Sequence, residues 1–170
     1  MIAGKTEMRL AAVAALALAS VFAHSQSPLL DESQLSAPKP AAVAYLYPQQ
    51  VTVPANQPTT LALHFRVAPG LHINSHMPSE AELIPATLTI PESSGVRIES
   101  AIYPHGIDIT LPLDLKTRIN VYTGDFVIQA RIVAAAGNHL VEARLRYQAC
   151  DNNACMPPKT ITAPIEVIAR

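Results

Sequence analysis

The sequence predicts an all-β protein built as an antiparallel β-sandwich, and three observations support this. Apolar and polar residues alternate along many short segments, as they do in strands that bury one face. Turn-forming residues lie between these segments. Fifteen prolines spread along the 170 residues argue against long helices. With 49% hydrophobic residues, the chain is long enough for one domain with a sizeable core.

The strongest strand predictions are three segments with a strict period of two. In one of them, residues 141–147, the apolar side chains all fall on one face and three charged side chains fall on the other. The other two are residues 61–67 and 126–132, and the weaker candidates are residues 43–47, 51–53, 86–90, 96–102, 118–122 and 161–168. Eight or nine short strands favour an immunoglobulin-like sandwich. The Cys…Trp…Cys pattern of antibody domains is absent, because the chain has no Trp.

Two longer segments lack a clear strand pattern, and we predict that they are loops able to cover a site. Residues 68–80 contain His72, His76 and Met77. Residues 103–112 contain His105 and Asp108.

The N-terminus has the layout of a secretory signal peptide, which we predict over residues 1–25. Lys5 and Arg9 precede an apolar run at residues 10–22, and small residues allow cleavage after Ala23 or Ser25. The run is shorter than the ~20 residues of a membrane span, so no span is expected after cleavage. Residues 26–40 are polar and proline-bearing and are predicted to be a flexible leader, followed by the sandwich domain at residues 41–170.

This layout predicts export, to the periplasm if the host is a bacterium, where disulfides persist. The formal net charge of -1 provides no field that would attract nucleic acid.

Both cysteines lie in the segment RYQACDNNACMPPK, residues 146–159. Cys150 and Cys155 flank the turn formers DNN and are expected at the two shoulders of a hairpin, within disulfide reach. Three interpretations stay open: a structural disulfide in a binding or scaffold domain, a redox-active dithiol, or a copper-handling protein in which soft sulfur and imidazole bind Cu(I). No metal site or cofactor is assigned from the residues themselves.

The same segment resembles the active-site segment of the N-terminal domain of DsbD, a bacterial transmembrane disulfide reductase. In that family a strand ends in Tyr-Gln, and Tyr147 and Gln148 stand at these positions here. Two cysteines on either side of a short polar loop follow in both. Pro157 and Pro158 match the x-Pro-Pro sequence that comes after the second cysteine of the family. The stretches FRVAPGLHINSHMP and VYTGDFVIQARI resemble other parts of that domain more loosely. The resemblance covers roughly residues 41–170.

The resemblance implies an immunoglobulin-like domain that acts as a thiol:disulfide oxidoreductase or redox carrier. It takes electrons from a thioredoxin-like protein and passes them to periplasmic thiol proteins, such as disulfide isomerases and cytochrome c maturation factors. It also implies that Cys155 forms the mixed disulfide with partners and that Cys150 resolves it. A cap loop shields the pair in this family. The candidate cap is residues 103–112, with His105 and Asp108 as possible cap or proton-transfer residues.

The chain departs from the family pattern in several places. It has one residue fewer between the cysteines and no aromatic residue at the centre of the candidate cap. His72 and Asn74 stand about where the family has tyrosines near its active site. Its 170 residues hold no counterpart of the membrane electron conduit or the thioredoxin-like domain, so a separate protein is expected to supply the electrons.

Overall fold

The computed structural model describes residues 40–111 and 114–170. The predicted signal peptide and the leader up to residue 39 lie outside the described residues. The described chain forms β-strands and one short 3-10 helix, Glu92–Ser94. The strands are β1 (Val43–Tyr45), β2 (Gln49–Val53), β3 (Thr59–Val67), β4 (His72–Asn74), β5 (Thr87–Thr89), β6 (Val96–Ile102), β7 (Ile107–Leu111), β8 (Asp114–Tyr122), β9 (Asp125–Ala134), β10 (Gly137–Tyr147), β11 (Ala149–Cys150) and β12 (Lys159–Ala169). The all-β prediction is confirmed.

The strands form three four-stranded sheets. Sheet A has the order β1-β3-β9-β6, sheet B the order β2-β12-β10-β5, and sheet C the order β11-β4-β8-β7. All paired strands are antiparallel except β2 and β12, which run parallel. This is the layered antiparallel architecture expected of an immunoglobulin-like sandwich.

The hydrophobic core is built by the alternation that the sequence displays. In β9 and β10 nearly every second residue is buried. The core cluster joins residues of sheets A and B, among them Leu63, Phe65, Ile128, Ile132, Val141, Leu145, Ile165 and Val167. Each such side chain contributes about 1.5–3 kcal/mol when fully buried. The ladder between β10 and β12 runs unbroken from Gly137↔Ala169 to Tyr147↔Lys159, so it gives the disulfide segment a firm base.

Every strand predicted from the sequence is present, but the two predicted loops are wrong in part. Residues 68–80 contain β4, and residues 103–112 contain β7. The strand β4 was not predicted because its three residues are all buried, so buried and exposed positions do not alternate along it. In β7 the sequence IDITL alternates apolar and polar residues, so this strand could have been predicted.

Within the described residues, no helix has the length and apolar character needed to cross a membrane.

Candidate active site at the disulfide loop

Cys150 and Cys155 form a disulfide at the tip of a short hairpin. Their sulfurs are 2.00 Å apart and their Cα atoms 3.9 Å apart. The two residues face each other in an antiparallel bridge. The backbone N–H of Asp151 donates to the carbonyl of Ala154 (3.0 Å), and that of Met156 donates to the carbonyl of Ala149 (2.8 Å). These bonds flank the cysteines instead of joining them. The cysteines are therefore a non-hydrogen-bonded pair, the arrangement in which facing Cα atoms come closest.

The turn between the cysteines is closed by one carboxylate. Oδ1 of Asp151 accepts the backbone N–H groups of Asn153 (2.7 Å) and Ala154 (2.8 Å). A side chain that binds its own backbone two or three residues on is the turn-forming behaviour expected of aspartate. The predicted placement of the cysteines at the shoulders of a turn thus agrees with the structure.

The two residues of this disulfide differ in exposure. Cys150 is only 2% exposed, whereas Cys155 is exposed. Thiol–disulfide exchange requires direct attack of a thiolate on one sulfur, and access decides which sulfur is attacked. Of the two residues, Cys155 is the more accessible from solvent.

Cys150 is buried because the chain changes sheets just before it. The strand β10 ends in sheet B, and after Gln148 the chain enters β11, the edge strand of sheet C. There β11 pairs with β4 in the register Ala149↔Ile73 and Cys150↔His72. Directly opposite residues on paired strands project to the same face, with Cβ atoms about 4.5–5.5 Å apart. His72 and Cys150 are therefore cross-strand neighbours on one face of sheet C.

His72 is a buried histidine with an unused nitrogen. The residue is 4% exposed, and its Nε2 has no hydrogen-bond partner among the described residues. Burial lowers the pKa of His72 below its ordinary value, and the nearby carboxylate of Asp151 opposes this effect more weakly. The imidazole is consequently held neutral near neutral pH.

A side-chain amide network fastens the base of the hairpin to β4. Nε2 of Gln148 donates to the carbonyl of Met156 (3.2 Å), just after the second cysteine. Oε1 of Gln148 accepts from Nδ2 of Asn74 (3.3 Å), which also donates to the carbonyl of Ile84 (3.1 Å). Gln148 therefore positions the segment after Cys155 relative to β4.

A surface cleft adjoins the disulfide hairpin. It is lined by His72 of β4, Ile109 of β7, Asn152 of the hairpin and the loop before β4. Arg66 and Asp125 also line it, and they form a two-point ion pair with Nη2–Oδ2 at 2.8 Å. The hydrogen bonds from Arg66 lower the pKa of the Asp125 carboxyl. Ile109 is thus the part of the candidate cap that comes near the hairpin.

His105 and Asp108 occupy other positions. His105 is exposed and lines a second cleft with Tyr103 and Tyr122. Asp108 is exposed on β7, where its Oδ1 accepts from Nδ2 of Asn120 at 2.7 Å. Neither lines the cleft that contains His72 and Asn152. Their predicted roles as cap or proton-transfer residues stay predictions.

His76 and Met77, the further donors considered for copper, lie near Tyr103 and Tyr122. The ring of His76 stacks on that of Tyr103 at 3.6 Å between centroids, and its Nδ1 lies 2.9 Å from the carbonyl of Ala86. Met77 is 79% exposed. Within residues 40–111 and 114–170, no group of three or more His, Cys, Asp or Glu side chains is arranged to hold a metal ion.

Sequence reasoning missed two features of this site: His72 beside Cys150, and the amide network of Gln148 and Asn74. Both depend on the pairing of β4 with β11, a contact between segments more than seventy residues apart. The available signal was the presence of two polar residues, His72 and Asn74, two positions apart in a segment similar to a known active-site domain.

The chain is similar to a known protein family and to solved structures. A family model described as thiol:disulfide interchange protein DsbD, N-terminal, matches residues 42–166. No curated protein matches the sequence. Among solved structures, the chain is similar to the reduced N-terminal domain of DsbD from Neisseria meningitidis, with a TM-score of 0.43 and 16% sequence identity. This match covers 61% of the present chain and 74% of the DsbD chain. It is also similar to the N-terminal periplasmic domain of ScsB from Proteus mirabilis, with a TM-score of 0.46 and 14% identity over 66% of this chain. The chain spans 42% of that ScsB domain's length.

Proposed function

The chain belongs to the family of N-terminal domains of the thiol:disulfide interchange protein DsbD, and on this premise we propose that its disulfide passes reducing equivalents to partner thiol proteins. Thiol–disulfide exchange is the chemistry of the family. We propose in addition that the domain transfers electrons to partner proteins and that its two cysteines have separate roles. The observation that carries it is the unequal exposure of the two cysteine residues, with Cys155 exposed and Cys150 buried.

In the reduced domain, Cys155 is the attacking residue. Its thiolate attacks a disulfide of the acceptor protein, whose S–S bond breaks while a Cys155–acceptor bond forms. The released acceptor thiolate takes up a proton. Cys150 then loses its proton and attacks the sulfur of Cys155, so the internal disulfide forms and the acceptor leaves with both sulfurs reduced. Two electrons and two protons pass from the domain to the acceptor.

Re-reduction runs through the same sulfur. A dithiol of a thioredoxin-like donor attacks Cys155, Cys150 leaves as the thiolate and is protonated, and the second donor thiol resolves the mixed disulfide. The donor is oxidised and the domain is reduced. Periplasmic thioredoxin-like proteins are thus both donor and acceptor, with disulfide isomerases and cytochrome c maturation factors as the acceptor classes.

The proposed setting is the periplasm. Support comes from the signal-like layout of residues 1–25, the leader-like residues 26–40 and the disulfide, which persists in an oxidising compartment. The domain that carries the function is residues 41–170. Residues 103–112 serve as the cap that gates access, and Ile109 is its part nearest the hairpin. His105 and Asp108 act within this cap.

Trapping of covalent partners tests the proposal directly. In a Cys150→Ala variant expressed in its host, the exposed Cys155 cannot be resolved internally, and mixed disulfides with thioredoxin-like proteins should accumulate. The matched control is Cys155→Ala, which keeps only the buried cysteine and should trap few or none. Adducts are identified by non-reducing electrophoresis and mass spectrometry after acid quenching of free thiols.

Two results would contradict the proposal. One is equal trapping by both variants, because it would mean that exposure does not select the attacking sulfur. The other is the absence of partner adducts from Cys150→Ala. The remaining interpretation would then be a structural disulfide in a binding or scaffold domain. The reduction potential of such a disulfide should lie below about −300 mV, whereas that of an exchanging pair should be about −200 mV.

A further inference from the structure

We propose that His72 is the proton acceptor that activates Cys150 for the resolving attack, an inference that rests on the proposed function. The two residues are direct partners in the register between β4 and β11, so their side chains lie on one face of the sheet. His72 is the one histidine on the strand that pairs with this cysteine.

The resolving step needs a base within the protein. Cys150 is 2% exposed, so water has little access to remove its proton, and burial disfavours the charged thiolate. The cations nearest in sequence on either side, Arg146 and Lys159, are exposed and belong to sheet B. The Asp151 carboxylate already accepts two backbone N–H groups. As an anion, it would also oppose a neighbouring thiolate.

His72 has the features that this base requires. It is 4% exposed, and Nε2 has no hydrogen-bond partner among the residues that the structure describes. A buried polar atom left without a partner costs free energy and calls for an explanation. Proton acceptance from the Cys150 thiol, which exists only in the reduced and mixed-disulfide states, supplies one.

The charged groups around His72 suit a transient imidazolium. Asp151 acts on it from the hairpin and favours the charged form. Arg66 and Asp125 line the same cleft from sheet A, but they are paired with each other. Burial keeps the imidazole neutral, and therefore able to accept a proton, before the step.

The step balances in atoms and electrons. With Cys155 joined to the partner, the proton on Sγ of Cys150 moves to Nε2 of His72, and the sulfur attacks Sγ of Cys155. The Cys150–Cys155 bond forms, the Cys155–partner bond breaks, and the partner sulfur leaves with the electron pair. The imidazolium then returns its proton to the departing thiolate or to water, which restores neutral His72. The reverse sequence protonates Cys150 when the domain is re-reduced.

A small aromatic disulfide, 5,5′-dithiobis(2-nitrobenzoate), separates the two sulfur reactions without a protein partner. Mixed with the fully reduced domain in a stopped-flow instrument, it releases one thionitrobenzoate when Cys155 attacks and a second when Cys150 resolves. In the wild-type domain, the slow phase should rise with pH through the lowered pKa of His72 and then level off near neutrality.

Variants His72→Phe and His72→Gln should lower the slow phase at neutral pH by about tenfold or more, since a general base typically contributes at least that much. Their slow phase should keep rising with pH, because the thiol must then ionise unaided, while the fast phase is unchanged. The matched control is His139→Gln, on the far end of β10, which should behave as wild type. The Gln variant keeps a polar side chain in case the Phe variant does not fold, and circular dichroism checks both.

Equal slow phases in wild type and both variants at neutral pH would overturn the role of His72 and leave the proposed function standing. A parallel fall of fast and slow phases would also overturn it, because it would indicate a general structural effect. If the wild-type domain showed no fast phase, Cys155 would not react with the reagent, and both the role of His72 and the proposed function would be contradicted.

Discussion

At the scale of single residues, one disulfide has two different environments. Cys155 lies at the exposed shoulder of a four-residue turn, while Cys150 is covered where β11 joins sheet C. The difference does not come from the chemistry of cysteine. It arises because Ala149 and Cys150 extend sheet C by one short edge strand and the chain then leaves the sheet. This geometry supports the proposed division of roles between Cys155 and Cys150.

The buried imidazole of His72 also makes the stability of the oxidised domain depend on pH. Its folded-state pKa is lowered from 6.5 by burial, so below that pH the unfolded chain binds more protons than the folded chain. The free energy of unfolding should therefore fall as pH drops from about 6.5 toward the folded pKa. Urea unfolding of the oxidised domain at a series of pH values measures this.

The variant His72→Gln should lose this part of the pH dependence, while His139→Gln should keep it. An unchanged slope in His72→Gln would show that other groups cause the acid sensitivity.

At the level of elements, sheet C builds the site, and the two of its strands that hold the hairpin are short. Its strand β4 has three residues and β11 has two, so the backbone ladder alone holds them weakly. The side chains of Gln148 and Asn74 add cross-links between β4 and the hairpin. The position of the hairpin therefore rests on these amide side chains as well as on strand pairing.

Replacement of Gln148 by Ala should lower the free energy of unfolding by about 1–3 kcal/mol, since it leaves the buried amide of Asn74 and the Met156 carbonyl each short of a partner. Chemical denaturation measures the change, and faster attack on the disulfide by dithiothreitol should accompany it as the hairpin loosens. The control is Gln57→Ala, whose side chain is exposed in the turn before β3 and should cost little. Equal stability of the two variants would rule out the cross-link.

The docking of the candidate cap depends on Gly106, which directly precedes β7. A Cβ there would clash with Oδ1 of Asn120, and it would lie 2.8 Å from its Cγ and 3.0 Å from the Cβ of Ser75. Asn120 in turn holds Asp108 of β7. Gly106→Ala should therefore destabilise the domain by about 1–3 kcal/mol through overpacking and loosen β7.

Amide hydrogen exchange over β7 and chemical denaturation measure this effect. The double variant Gly106→Ala/Asn120→Ala serves as control. Because the main clashing side chain is gone, it should be little worse than Asn120→Ala alone. If Gly106→Ala lowered the free energy of unfolding by the same amount with and without the Asn120 side chain, the clash would not be with Asn120.

At the scale of the whole molecule, we expect the core to keep its structure without the disulfide. The core cluster is built mainly from sheets A and B, with Ile73, Tyr122 and Ala149 from sheet C, whereas the disulfide closes a short ring at the edge of sheet C. A ring of this size restrains the unfolded chain by only about 2 kcal/mol. A sandwich that keeps its structure while one bond opens and closes is what exchange chemistry requires.

Reduction with a phosphine should therefore leave the β-sheet circular dichroism unchanged and lower the free energy of unfolding by about 2 kcal/mol. Urea denaturation of the oxidised and reduced domains measures the difference. A double variant Cys150→Ala/Cys155→Ala should match the reduced protein closely. Collapse of the sheet signal on reduction would instead identify the bond as a structural staple.

The all-β class, the strands of sheets A and B, and the cysteine pair on a turn could all be predicted from the sequence. These features are local: alternation has a period of two residues, and the DNN turn lies between Cys150 and Cys155. The three strands that it did not predict, β4, β7 and β11, all belong to sheet C.

Which cysteine is buried, and which residue pairs with it, follows from the tertiary structure alone. The pairing Cys150↔His72 joins residues distant in sequence, and no local pattern encodes it. Burial of β4 removed its alternation, and β11 is too short to have one. The exposure of Cys155 and the neutrality of His72 likewise follow from how the sheets pack, because desolvation depends on every neighbouring element and not on sequence neighbours alone.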